Sequence, residues 1–141
     1  MASGVYVISG GTLKINANAN LSGSGVMIYL TNGATIQMNG NATVTLSAAT
    51  TGTYAGILLF GGRSQATDVN KINGTASSSM TGAMYFPSQE VDLLGNFSGQ
   101  NGRMQVVADT ISHSGNTSFS TDCSSYGIPK INNPGAVALV E

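Results

Sequence analysis

At 141 residues the chain is long enough for one domain around one core and too short for two. Only 8% of its residues are charged, the net charge is −1, and its five Lys and Arg are dispersed, so no basic stripe exists to neutralise phosphates and nucleic acid is excluded as a partner. No apolar run approaches the ~20 residues of a membrane helix, and the start Met1-Ala-Ser-Gly lacks the segments of a signal peptide.

Apolar residues make up 41% of the chain and cluster in β-branched and aromatic runs, which disordered tracts do not show. The first run, Gly4-Val-Tyr-Val-Ile, is followed by a short strand, Thr12-Leu-Lys-Ile, and a small polar turn, Asn16-Ala-Asn-Ala-Asn. Gly25-Val-Met-Ile-Tyr-Leu then leads to Thr35-Ile-Gln-Met, the turn Asn39-Gly-Asn, and Thr43-Val-Thr-Leu. Next come Gly56-Ile-Leu-Leu-Phe with the turn Asn73-Gly, Gly82-Ala-Met-Tyr-Phe with Val91-Asp-Leu-Leu, and Arg103-Met-Gln-Val-Val-Ala with Thr110-Ile-Ser. No window carries an apolar face at the helical period, and Gly, Thr, Asn and Ser penalise helix throughout.

The sequence is therefore all-β. The leading glycines Gly4, Gly25, Gly56 and Gly82 stand 21, 31 and 26 residues apart, within the range of solenoid repeats. Strand and corner recurring at this period describe a short parallel β-helix over residues 1–141, with residues 1–3 extraneous to it and the right-handed coil that parallel crossovers favour. Its Asn, Gly, Ser and Thr corners would stack into a ladder. An antiparallel β-sandwich is the alternative, because Asn-Gly between strands is also a hairpin signal.

With each main strand set by its leading glycine, alternation puts Val5, Val7, Val26, Ile28, Leu30, Ile57, Leu59, Ala83 and Tyr85 inside. The outward face then carries Tyr6, Ile8, Met27, Tyr29, Leu58, Phe60, Met84 and Phe86 and is apolar as well. Uncovered, it exceeds the apolar patch that monomers tolerate, so Tyr6, Met27, Tyr29, Leu58, Phe60, Met84 and Phe86 are candidate interface residues. The competing covers are the insertion within residues 62–80, the segment 136–140, and another protein.

Candidate chemistry is sparse. His113 is the single histidine, and Asp109 four residues earlier along a strand would stand roughly 13 Å from it, too far to orient it. Glu90 and Asp92 flank Val91 at about 7 Å, a separation that suits a glycosidase pair, with Asp109 and Arg103 joining from the next coil. The plain alternative is an outward acidic pair that keeps an edge soluble. No calcium loop or phosphate loop occurs, and no metal or cofactor is expected. Cys123 is a lone cysteine, free or paired with a cysteine outside this sequence. Thr43-Val-Thr is the one predicted strand with Thr-x-Thr, whereas an ice-binding face needs such a ladder on every coil.

Several of these motifs taken in order resemble the C-terminal region of TadG-like pilus-assembly proteins of bacteria. They are Gly25-Val-Met-Ile-Tyr-Leu-Thr-Asn-Gly-Ala-Thr-Ile, Asn39-Gly-Asn-Ala-Thr-Val-Thr-Leu-Ser-Ala, Tyr54-Ala-Gly-Ile-Leu-Leu-Phe and Met80-Thr-Gly-Ala-Met-Tyr-Phe-Pro-Ser-Gln, followed by Val107-Ala-Asp-Thr-Ile-Ser-His-Ser-Gly-Asn and Val137-Ala-Leu-Val-Glu. The resemblance implies an extracytoplasmic module of a longer exported protein of a tight-adherence pilus system, reaching the membrane only through segments absent from this sequence. It carries no catalytic residues over. The expected role is non-catalytic, through the apolar outer face, with a protein of the bacterial envelope or a second copy as partner and a glycan as a further possibility. A polysaccharide hydrolase or lyase, or a glycan-binding module, is the rival reading.

Overall fold

In a computed structural model, which describes residues 1–63, 69–75, 77–95, 98–115 and 118–120, the chain is an all-β, parallel β-solenoid of about four turns. The first coil is β1 (Gly4–Ser9), β2 (Thr12–Ile15) and β3 (Asn20–Ser24), and the second is β4 (Val26–Thr31), β5 (Thr35–Met38) and β6 (Thr43–Ser47). The third runs through β7 (Ile57–Gly61) and β8 (Val69–Gly74) into the start of β9 (Ser79–Gly95), which continues as the fourth. β10 (Ser98–Ser114) and β11 (Ser118–Ser120) follow. Among the described residues no helix is long and apolar enough to cross a membrane.

Among the described residues every strand pairing is parallel, which sets aside the antiparallel sandwich. Three faces result. The main face stacks β1, β4, β7, β9 and β10; the second stacks β2, β5, β8 and later parts of β9 and β10; the third stacks β3, β6 and the start of β9. The step between coils is 23 residues at Thr12↔Thr35, 31 at Ile28↔Leu59 and 34 at Gln37↔Lys71. The longer steps come from insertions at residues 48–56 and 62–68, which leave the stacked strands in register.

The corners follow from local chemistry. Asn32 and Gly33 turn with φ of 52° and 75°, a left-handed pair that Asn and Gly accept most readily. The expected polar ladder forms between the first two coils. Asn32 Nδ2 donates to Ser9 Oγ at 2.8 Å, Thr35 Oγ1 to Thr12 Oγ1 at 3.1 Å, Asn39 Nδ2 to Asn16 Oδ1 at 3.3 Å, and Ser47 Oγ to Ser24 Oγ at 3.2 Å.

Inside, aliphatic side chains stack in files. One runs Tyr6, Ile28, Leu59, Met84, Val106; another on the second face runs Ile15, Met38, Ile72, Leu93. These files correct the alternation expected from the leading glycines. Gly4 pairs with Val26, whereas Gly25 lies over Ser3, whose Oγ donates to its carbonyl at 3.1 Å. The alternation of β1 is thereby displaced by one residue, so Tyr6 and Ile8 face the core while Val5 and Val7 are 50% and 58% exposed. In β7 the pairing jumps from Ile57↔Ala83 to Leu59↔Met84, a bulge whose extra residue, Leu58, is buried in the core beside Leu59. Ile28 and Met84 share a file through Leu59, which puts Gly82 level with Val26 and not with Gly25. Met84 and Phe86 therefore point inward, and Tyr85 points outward. Of the seven candidate interface residues, Leu58, Met84 and Phe86 belong to the core and Tyr6 is half-buried against it.

Candidate interaction face

Met27, Tyr29 and Phe60 stand on the outward side of the main sheet. Register places Val7, Tyr29, Phe60, Tyr85 and Val107 in one file along the solenoid. Tyr29 meets Phe60 edge to face, with centroids 5.3 Å apart and planes at 73°, and Phe60 meets Tyr85 at 5.3 Å and 32°. Arg63 Nη2 donates to Tyr85 Oη at 3.5 Å, and Ser88 Oγ holds the Arg63 carbonyl at 2.6 Å. Beside this file lie Val5 and Met27, then Ile57, Ala83 and Gln105. The strand residues of these two files are uncharged, and Arg63 is the charged side chain that meets them, at Tyr85.

Met27 is only 4% exposed although it lies outside the core files. Its cover is the insertion at residues 48–56, closed on itself by main-chain bonds from Gly56 N to Ala49 O at 2.8 Å and from Ile57 N to Tyr54 O at 3.1 Å. This loop is neither of the two covers within the chain expected from sequence. Of those, the insertion within 62–80 contributes Arg63 at Tyr85, while 64–68 and 76 within it, and 136–140, lie outside the described residues, as does Cys123. Tyr54, 48% exposed, overhangs the sheet and encloses with Val5, Met27, Tyr29 and Phe60 an open cleft of ≈ 240 Å³.

The carboxylates are arranged differently. Glu90 pairs with Val69 and Thr110, and Asp92 with Lys71 and Ser112, on the second face. Asp109 is exposed at the irregular step between the Phe86↔Ala108 and Glu90↔Thr110 pairs, so it sits at a corner and out of register with both. Arg103 precedes the Met104↔Gly82 pair, at the end of the main face remote from that corner. His113 pairs with Leu93 and is exposed, separated from Asp109 by paired strand at residues 110–112. Among the described residues no group of three or more His, Cys, Asp or Glu is placed to hold a metal ion.

Sequence reasoning found one strand of the third face, Thr43-Val-Thr-Leu, and missed the hydroxyls stacked beside it. Ser22, Thr45 and Ser79 form one outward hydroxyl file and Ser24, Ser47 and Thr81 another, along an open groove also lined by Ala48 and Thr50. The hydroxyl ladder that Thr43-Val-Thr seemed to lack on other coils is thus present in mixed Ser and Thr form. Hydroxyls at i and i+2 around Leu21–Gly23, Val44–Leu46 and Met80 were the available signal.

Comparison with protein-family models, with curated proteins and with solved structures found no match.

Proposed function

We propose that the chain is a non-catalytic structural and interaction module of an exported pilus-assembly or adhesion protein, acting outside the cytoplasm through the outward face of its main sheet. The observation that carries this reading is the uncharged file Val7, Tyr29, Phe60, Tyr85 and Val107, beside a cleft open to solvent. The motifs resembling TadG-like proteins support the envelope setting, with a protein of the envelope or a second copy as partner. Displacement of Asp109 from the Glu90 and Asp92 register speaks against a shared catalytic centre for the three carboxylates.

Tyr29→Asp and Phe60→Asp, each checked for a native circular-dichroism spectrum, should abolish self-association in sedimentation or cross-linking to envelope proteins. Folded variants that associate like the parent chain would refute the reading. Glu90→Gln, Asp92→Asn and Asp109→Asn, screened against polysaccharides, test the rival enzyme, which a turnover lost in these variants would establish.

A further inference from the structure

Resting on this reading of the outward face, we propose that the cleft between Tyr54 and the Tyr29–Phe60 pair binds a proline-rich segment in the extended polyproline II conformation. Three other occupants fit less well. The face spans five rungs about 4.8 Å apart and strands of about five residues, roughly 300 Å² in all. That is less than half of the ~800 Å² per partner in a stable complex, so a second copy docked here needs further surface beyond this face, whereas a short segment does not. A β-strand gains its affinity from main-chain pairing at a sheet edge, but β4 and β7 are paired on both sides. Laid flat on this face, its amides and carbonyls would go unsatisfied. A glycan needs hydrogen-bonding partners for its many hydroxyls, and no carboxylate or amide lines the cleft.

A polyproline II segment keeps its backbone in water and offers apolar ring faces, the chemistry that aromatic-lined grooves recognise. The cleft volume of ≈ 240 Å³ is below that of pockets for whole drug-sized ligands, so it takes one side chain. Tyr29 and Tyr54, which line it, carry hydroxyls able to donate to the segment's carbonyls. One polyproline II turn advances about 9.3 Å and two strand spacings about 9.6 Å. Counted from Tyr29, two spacings pass Phe60 and reach Tyr85, so a second proline three residues on meets the Tyr85 ring, where Arg63 closes the file.

The test is fluorescence anisotropy of the full chain with a labelled peptide of repeated Pro-x-x-Pro, against a peptide in which alanine replaces every proline. Neutral oligosaccharides of chitin and cellulose serve as competitors, and sedimentation is run on the same samples. Saturable binding to the proline peptide alone, weakened roughly tenfold by Tyr54→Ala, is expected. Tyr54 lies on a surface loop, so its truncation leaves the core intact. Absence of saturable binding overturns the proposal, as does binding unchanged in both Tyr54→Ala and Tyr29→Ala, or displacement by an oligosaccharide. If the peptide does not bind while Phe60→Asp still abolishes self-association, the interaction reading stands and this inference fails. If neither effect appears, both fail.

Discussion

Asn70 Oδ1 accepts the main-chain N–H of Ile36 at 3.2 Å, a side chain filling the place of a strand partner inside the core. The β5–β8 ladder begins one residue later, at Gln37↔Lys71, and the fully buried Asn70 also donates from Nδ2 to the Glu90 carbonyl at 3.4 Å. Ser78 repeats the device on the third face, accepting from Val44 N and donating to Ala42 O, both at 3.2 Å. Asn70→Leu strands the Ile36 amide in an apolar setting and should cost about 1–3 kcal/mol in urea unfolding. A loss below about 0.5 kcal/mol would mean that the sheet closes over the gap unaided.

Gly61 is required for lack of volume, since its φ is not left-handed. A Cβ at this position would collide with the Gln89 side chain and the Phe86 ring, which fill the space left by the glycine. Gly61→Ala should destabilise by about 1–3 kcal/mol, and Phe86→Leu in the same chain should recover part of that loss. Simple addition of the two penalties would disprove the shared space.

The corrected faces make opposite predictions for Met84 in β9 and Val7 in β1. Met84, fully buried, should lose about 2–5 kcal/mol on truncation to alanine, whereas Val7→Ala should stay within about 0.5 kcal/mol. Thermal or urea unfolding decides between these faces and the alternation set by the leading glycines, which expects Val7 to be the costly site.

Asn32 holds a φ of 52° and also donates to Ser9. Asn32→Gly and Asn32→Val both remove that bond, so their difference isolates the backbone. Valine should be less stable than glycine by about 1–2 kcal/mol, and equal stabilities would show that the corner relaxes out of the left-handed conformation.

The solenoid was legible because its signals are local and repeat: apolar runs, then Asn and Gly at corners. Register was less legible, because a glycine can precede a strand for different reasons. Gly25 turns a corner with φ 68°, while Gly4 stands inside β1 and pairs with Val26. Treating the two as equivalent moved Tyr6 and Ile8 to the wrong side, and the bulge at Leu58 has no marker in Gly56-Ile-Leu-Leu-Phe. β3 was missed because Asn20-Leu-Ser-Gly-Ser has turn composition, and its parallel neighbour β6 makes it a strand. The loop over Met27 followed from no local signal, since Tyr54 reaches that sheet only through the stacking of coils.

The pairings join residues between 17 and 34 positions apart, as at Arg103↔Ser120 and Gln37↔Lys71, so each coil is fastened only to the coils next to it. The molecule is in this respect a ruler graduated in steps of about 4.8 Å. Adding one coil would lengthen every outward file by one side chain and leave the others in place, so the reach of such a face can change by whole increments without a new core.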